Sequence, residues 1–196
     1  MQIIFALALS YLAGSIPFGY LIPRVWNIDI RRHGSGNIGA TNVFRTLGPL
    51  AGGLAFGLDL AKGALPVLLM QRMTGNPWLI ILAAIAAVLG HTFSIFMGFK
   101  GGRGAATGLG VLLSVAPDIF LGALLLVVLI ILVTRYVSVA SILTPILVTA
   151  AFFLLKRPLP YALASGVVSL LIILRHVPNI KRLIQRTEPR IGEKNE

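Results

Sequence analysis

Long apolar runs alternate with short polar, mostly basic segments along the whole chain. Runs at about 3–22, 48–70, 78–97, 118–134, 138–155 and 160–175 each reach the roughly 17–25 residues that a membrane-crossing helix needs. A seventh stretch, Ala105–Ala116, is also apolar. As a helix it would be only about 18 Å long, against a hydrocarbon core of about 30 Å. The pattern predicts an all-α, polytopic membrane protein, with the topology turning on whether this short stretch crosses.

Composition narrows the class. Of 196 residues, 57% are hydrophobic and only 12% charged, and there is no cysteine; the mean hydropathy is +0.91. Soluble domains carry about a quarter charged residues, and one small core cannot hide this much apolar surface. A soluble enzyme, a disordered tail and a disulfide scaffold are excluded. The net charge of +11 would ordinarily suggest nucleic acid. Here the basic residues lie between apolar runs, which the positive-inside bias explains without a nucleic-acid partner. The start, MQIIFALALSYLAGSIPFGYL, lacks a basic leader and a clear cleavage site, so it reads as a retained span.

The same bias orients the chain. With seven crossings and the N-terminus outside, 13 basic residues fall on the cytoplasmic side: Arg24, Arg31, Arg32, Arg45, Lys100, Arg103, Arg135, Arg175, Lys181, Arg182, Arg186, Arg190 and Lys194. Only 3, Arg72, Lys156 and Arg157, stay outside, and Lys62 sits within a span. If Ala105–Ala116 does not cross, the balance falls to 8 against 8. Seven transmembrane helices are therefore expected, N-terminus outside and C-terminus cytoplasmic. No repeat or linker divides the chain, so 1–196 reads as one domain with a short basic tail over about 176–196.

In that orientation the three most polar segments, the first two of them glycine-rich, share the cytoplasmic face: HGSGNIGATNVFR (33–45), GFKGGRGAAT (98–107) and RHVPNIKRLIQRTE (175–188). The first sets Ser35, Asn37, Thr41, Asn42 and Arg45 among three glycines. These are donors suited to an oxyanion. Its formal GxGxxG match, with Asp59 twenty residues on, lacks the preceding strand that a dinucleotide site requires. In the second, Lys100 and Arg103 flank Gly101 and Gly102 while a helix begins near Gly104; free N–H groups at a helix start suit phosphate. In the third, His176 and Asn179 share a face if the segment is helical.

Asp59 and Lys62 stand at i, i+3 inside the second span. Intramembrane charges are costly and usually paired or functional, so a buried supporting pair is expected. His91 reads as an interhelical hydrogen-bonder and His33 as a loop residue. No His, Asp and Glu group has metal-ligand spacing, so neither a metal nor a cofactor is expected. Cationic and hydroxyl donors outnumber carboxylates in these segments. A ligand with a phosphate end and an acyl tail complements them best. The HxxxxD pair is absent, since Ile38, Phe96 and Lys181 stand five residues after the three histidines; any acyl donor must already be reactive. The competing reading is a transporter or exchanger of a phosphorylated solute. Transporter sites, however, lie near the midplane between repeats, and no repeat is visible here.

GSGNIGATNVFR, FKGGRGAAT, HVPNIKRLIQRTE and LDLAKG closely resemble the motifs of the bacterial acyl-phosphate-dependent glycerol-3-phosphate acyltransferases, over essentially the whole chain. The resemblance implies acyl transfer from acyl phosphate to the 1-hydroxyl of glycerol 3-phosphate, giving lysophosphatidic acid and phosphate. It implies a multi-pass protein of the bacterial inner membrane with its active site at the cytoplasmic face, and a functional link to the enzyme that makes acyl phosphate. By the same resemblance Ser35, Arg45, His176 and Asn179 are catalytic. The resemblance also implies that Gly101, Gly102 and Gly104 bind the glycerol phosphate and that Glu188 is structural. Donor chemistry adds Asn37, Thr41, Lys100, Arg103 and Ser141 as expected phosphate binders, and Asp59 and Lys62 are expected as structural support. Arg103 departs from the family, which usually has lysine there; a planar fork replaces a point charge.

The orientation is testable in this cysteine-free chain. Single cysteines replacing Arg45, Arg103 or Lys181 should resist an impermeant thiol reagent added outside intact cells and react after permeabilisation. Outside labelling of any of the three would refute the seven-crossing arrangement.

Overall fold

In a computed structural model the chain is described over residues 1–192; Lys194, counted in the charge balance, lies outside the described residues. These residues are helical, without strand. They group into two compact units, Met1–Val115 and Ala116–Glu196.

The first unit holds α1 (Gln2–Ser15), α2 (Phe18–Arg24), α3 (Ala40–Leu47), α4 (Pro49–Met73), α5 (Pro77–Thr92) and α6 (Ala105–Val115). Proline sets several of these boundaries. Pro49 and Pro77 open α4 and α5 at the first helical turn, where the missing N–H costs nothing. The Asn76 side chain caps α5 by accepting from Trp78 N–H at 2.9 Å. The first apolar run, expected as one helix over 3–22, is broken. Pro17 cannot donate to the helix and pushes Ile16 to an extended ψ of 118°, as residues before proline prefer, and α1 and α2 meet at a bend of 43°. Side chains reach the carbonyls at the break: the Ser94 hydroxyl donates to Ser15 O at 2.5 Å, and Lys62 Nζ donates to Ile16 O at 2.7 Å, which also accepts from Phe18 N–H at 3.1 Å.

Helix contacts in this unit run through glycine. A Cβ on Gly14 of α1 would fall on the Ala87 carbonyl of α5, and one on Gly90 of α5 on the Tyr11 carbonyl of α1. Gly63 of α4 and Gly110 of α6 face the Thr107 and Leu60 carbonyls in the same reciprocal way. Small residues let backbones approach where lipid leaves no hydrophobic drive between helices. The Ser114 hydroxyl donates to Ala64 O at 3.2 Å, and Gln71 Nε2 donates to Ser114 O at 3.1 Å, closing the α4–α6 seam.

The second unit holds α7 (Pro117–Thr134), α8 (Val137–Leu154), α9 (Leu159–Arg175) and α10 (Val177–Ile184). α8 packs on both α7 and α9. The Ser169 hydroxyl donates to Pro145 O at 2.7 Å and pairs with the Thr149 hydroxyl at 2.8 Å. α9 turns by 55° into α10 at His176. Arg157 and Asp118 form an exposed ion pair at the far end.

Four helical segments, Pro49–Met73, Pro77–Met97, Pro117–Thr134 and Val137–Leu154, are long and apolar enough to cross a membrane, and six if each bent pair counts as one span. α6 is 11 residues long, as short as its apolar stretch implied. Only 17% of the apolar window of α7 is buried against protein, compared with 56% for α5. A helix so apolar and so exposed has lipid as its solvent.

The seams predict a sharp contrast among glycines. Gly63→Ala forces α4 from α6 and should cost about 1–3 kcal/mol, as overpacking does. Gly53→Ala and Gly57→Ala, which face open space, should leave the detergent melting temperature unchanged or raised. Equal effects at the three positions would contradict the packing.

Candidate active site

The 30–39 loop is organised by one side chain, Asn42, which the sequence marks only as one oxyanion donor among five. Asn42, buried at the start of α3, lays its Nδ2 against the carbonyls of His33 and Asn37 at 2.9 Å and Ile30 at 3.3 Å. Its Oδ1 accepts from Ser35 N–H at 3.0 Å. Gly34, at φ +54°, passes so close that a Cβ there would strike the Asn42 amide oxygen. Asn37 Oδ1 accepts from Gly39 N–H at 2.7 Å, tying the loop to the start of α3. Ile30, Ile38 and Val43 form the apolar floor beneath it. On this base the Ser35 residue is exposed, while Thr41 and Arg45 are half-buried on α3.

At the edge of this loop, Asp29 is held well below the usual carboxylate range. The side-chain hydrogen bond from Arg31 outweighs the effect of burial, with the Arg31 backbone N–H and the charges of Arg31 and Arg24 adding to it.

The second glycine loop docks on the end of α5. Gly101 N–H donates to Thr92 O at 3.1 Å and Gly102 N–H to His91 O at 3.0 Å. Gly101, Gly102 and Gly104 are buried, Arg103 is half-buried and Lys100 is exposed. Gly104 takes φ +86° just before α6, a left-handed turn that favours glycine. The amides of Gly101 and Gly102 are thus engaged by the end of α5. In α4, Asp59 and Lys62 form the expected buried pair, Oδ1 to Nζ 2.7 Å, and His91 Nδ1 lies 3.8 Å from the same carboxylate oxygen.

In the second unit, His176 is buried where α9 gives way to α10. Its Nδ1 lies 2.8 Å from Ile172 O. A carbonyl only accepts, so Nδ1 carries the hydrogen and Nε2 is the acceptor of the neutral ring. Asn179, on α10, gives Nδ2 to Glu188 Oε1 at 2.7 Å. Because the carboxylate must face the amide nitrogen, the orientation of Asn179 is fixed, and its Oδ1 is a buried acceptor with no hydrogen bond. Glu188 Oε2 takes Arg182 Nε at 2.7 Å. Burial pushes the Glu188 carboxyl up, but hydrogen bonds from Asn179, Ser138 and Arg182 and the Arg182 charge outweigh it and hold it below its ordinary value. Ser141 lies half-buried on α8, one turn beyond Ser138.

The tail after α10 folds back along the α7–α8 turn. Ile191 N–H donates to Arg135 O at 2.9 Å, and the Arg135 guanidinium returns a bond to Ile191 O at 2.8 Å. Arg190 Nε donates to the Tyr136 hydroxyl at 2.9 Å, with its guanidinium 5.1 Å from that ring centre. Arg135 itself sits at φ +63° and ends α7. Nothing in the local sequence announces this contact, which joins residues more than fifty positions apart.

The glycerol-3-phosphate acyltransferase family profile matches residues 4–186. The chain belongs to the glycerol-3-phosphate acyltransferase family. It is 45% identical over 191 residues to glycerol-3-phosphate acyltransferase 2 of Moorella thermoacetica, covering 97% of this chain and 98% of that one. It is also 45% identical to the Geobacter sulfurreducens glycerol-3-phosphate acyltransferase, covering 93% and 94%. The crystal structure of PlsY (YgiH), an integral membrane glycerol 3-phosphate acyltransferase in its glycerol 3-phosphate form, superposes with a TM-score of 0.95 at 41% identity, covering 98% of this chain and 96% of that one. The lysophosphatidic acid form of PlsY gives 0.93. This acyltransferase is thus an integral membrane protein, and the transporter reading is set aside.

Glu188 is the point at which to test the third cluster. A carboxyl with a lowered pKa stabilises fully above its ordinary titration range, and that contribution fades as pH falls through the lowered value. The tail should therefore stay docked at neutral and mildly acid pH. Glu188→Gln removes a charge-assisted contact worth about 1.5–3 kcal/mol. At pH 7.5, tryptic cleavage at Arg186 and Arg190 should speed up roughly tenfold or more, since about 1.4 kcal/mol is a factor of ten. Unchanged cleavage would show that Glu188 does not hold the tail.

Proposed function

We propose that the protein moves a fatty acyl group from acyl phosphate to the 1-hydroxyl of glycerol 3-phosphate. The bond between the acyl carbon and the phosphate oxygen breaks, an ester bond to the glycerol oxygen forms, and inorganic phosphate leaves. The product is lysophosphatidic acid, the first intermediate of phospholipid synthesis. The observation that carries the reading is membership of the family, joined to a set of cationic and hydroxyl donors suited to two phosphate-bearing substrates.

In this scheme Arg45, Lys100 and Arg103 neutralise phosphate charge, and Ser35, Asn37, Thr41 and Ser141 donate hydrogen bonds to phosphate oxygens. Gly101, Gly102 and Gly104 shape the loop that carries Lys100 and Arg103. Donors aimed at developing oxyanion charge supply the largest share of such catalysis, with positioning of the two substrates next. His176 and Asn179 position the acceptor. The buried Oδ1 of Asn179 suits a hydroxyl hydrogen, and the acceptor's own phosphate takes the proton as the ester forms. Asp59, Lys62 and Glu188 support these groups.

We further propose seven crossings with the N-terminus outside and the C-terminus cytoplasmic, on the strength of the charge bias. Residues 1–196 then act as a single acyltransferase domain of the bacterial inner membrane, its chemistry at the cytoplasmic face and functionally linked to the enzyme that makes acyl phosphate.

Purified protein given palmitoyl phosphate and glycerol 3-phosphate should release phosphate and lysophosphatidic acid one for one. Release without glycerol 3-phosphate, or acyl transfer only from a thioester donor, would refute the reading. Loss of the Arg45 contact, worth about 1.5–3 kcal/mol, should lower kcat/KM about 10- to 150-fold in Arg45→Ala. Arg103→Lys should be mild, because lysine keeps the charge.

A further inference from the structure

The loop that carries Lys100 and Arg103 packs against one imidazole. Its two glycine amides hydrogen-bond to the carbonyls of His91 and Thr92. A Cβ on Gly102 would land on the His91 ring, nearest Nε2, whereas a Cβ on Gly101 would land on the backbone carbonyls of His91 and Thr92. The opposite ring nitrogen, Nδ1, faces Asp59 Oδ1 at 3.8 Å. Asp59 is held by Lys62, and Lys62 Nζ also reaches Ile16 O at the break between α1 and α2. His91, Asp59 and Lys62 are each at most 5% exposed. An imidazole is expensive to bury unless its polar atoms are used. Simple filling of this space would call for an apolar residue.

We infer that His91 is a positioning residue: oriented by the Asp59–Lys62 pair, its ring sets the seat of the 100–103 loop and so where Lys100 and Arg103 are presented. This rests on the reading above that the loop binds substrate phosphate. It gives the intramembrane charge pair a function, as the fixed support of a ring that faces the loop, and it accounts for Gly102 by what the ring leaves no room for.

The test uses the full-length protein and the geometry of the two glycines. Gly102→Ala and His91→Ala should each raise KM for glycerol 3-phosphate about tenfold, with kcat changing much less, as for lost ground-state positioning. The double variant His91→Ala with Gly102→Ala should be no worse than His91→Ala alone, because removing the ring removes what the new methyl strikes; neighbours that share one contact are non-additive. Gly101→Ala strikes backbone, so His91→Ala should not mask it.

Tryptic cleavage after the exposed Lys100 gives a readout independent of turnover, and should speed up in His91→Ala. His91→Gln, which keeps a polar side chain beside Asp59, serves if His91→Ala does not fold, and should show the same changes in smaller measure. Independent, multiplying effects of His91→Ala and Gly102→Ala would overturn the inference. So would unchanged cleavage and KM in the His91 variants. A wild-type protein that releases no phosphate would refute the enzymatic reading instead, while the cleavage pattern would still decide the role of His91.

Discussion

A lysine inside a helix bundle must place its ammonium hydrogens somewhere, and the first unit is arranged around where Lys62 places its own. One interaction goes to Asp59 a turn away on α4, and another crosses to Ile16 O at the break between α1 and α2, a carbonyl that also accepts from Phe18 N–H. Phe18 adds an aromatic face 5.7 Å from Nζ. Removing either partner would leave a buried charge uncompensated, which costs far more than the intact pair contributes. The break in α1, the position of α4 and the environment of His91 are therefore one problem with one solution. A straight first helix would close the Ile16 carbonyl and take a partner from Lys62.

Close backbone contact is the second condition, and it explains why a chain this apolar holds so much glycine. Leucine on leucine gains nothing from association in lipid, since the solvent is equally apolar. Two helices that meet at Gly14 and Gly90, or at Gly63 and Gly110, gain dispersion and backbone contact that lipid chains do not match. The polar residues along these seams, Ser114 and Gln71 among them, then have carbonyls within reach.

Much of the helical layout was legible because hydropathy reports membrane thickness directly. The runs at 48–70, 78–97, 118–134, 138–155 and 160–175 became α4, α5, α7, α8 and α9 with ends shifted by a few residues, and the shortness of α6 was visible as well. The break after Ser15 was missed, although Pro17 was its signal: an apolar window averages over one proline. The partners of the polar residues were less legible. Asp59 with Lys62 could be read from i, i+3 spacing. Asn42 could not be seen as the hub of its loop, because its four contacts are set by how the chain returns on itself. Nor could Arg135 and Ile191, whose contact depends on the tail lying along the α7–α8 turn. Motif resemblance located Asn179 and Glu188, but only the fold shows that the carboxylate takes the amide's donor and leaves its acceptor.

The docking of Gly101 and Gly102 on α5 has an electrostatic consequence. A helix ends in carbonyls that point outward and carry about half a negative charge. Left bare, the end of α5 would repel any anion brought to the loop beside it. The two glycine amides cover the His91 and Thr92 carbonyls, and the chain then delivers Lys100 and Arg103 immediately around them. The same four residues thus silence the negative pole of one helix and lead into the positive N-terminal end of the next, α6. A local field that would oppose phosphate becomes one that favours it, without any further charged residue.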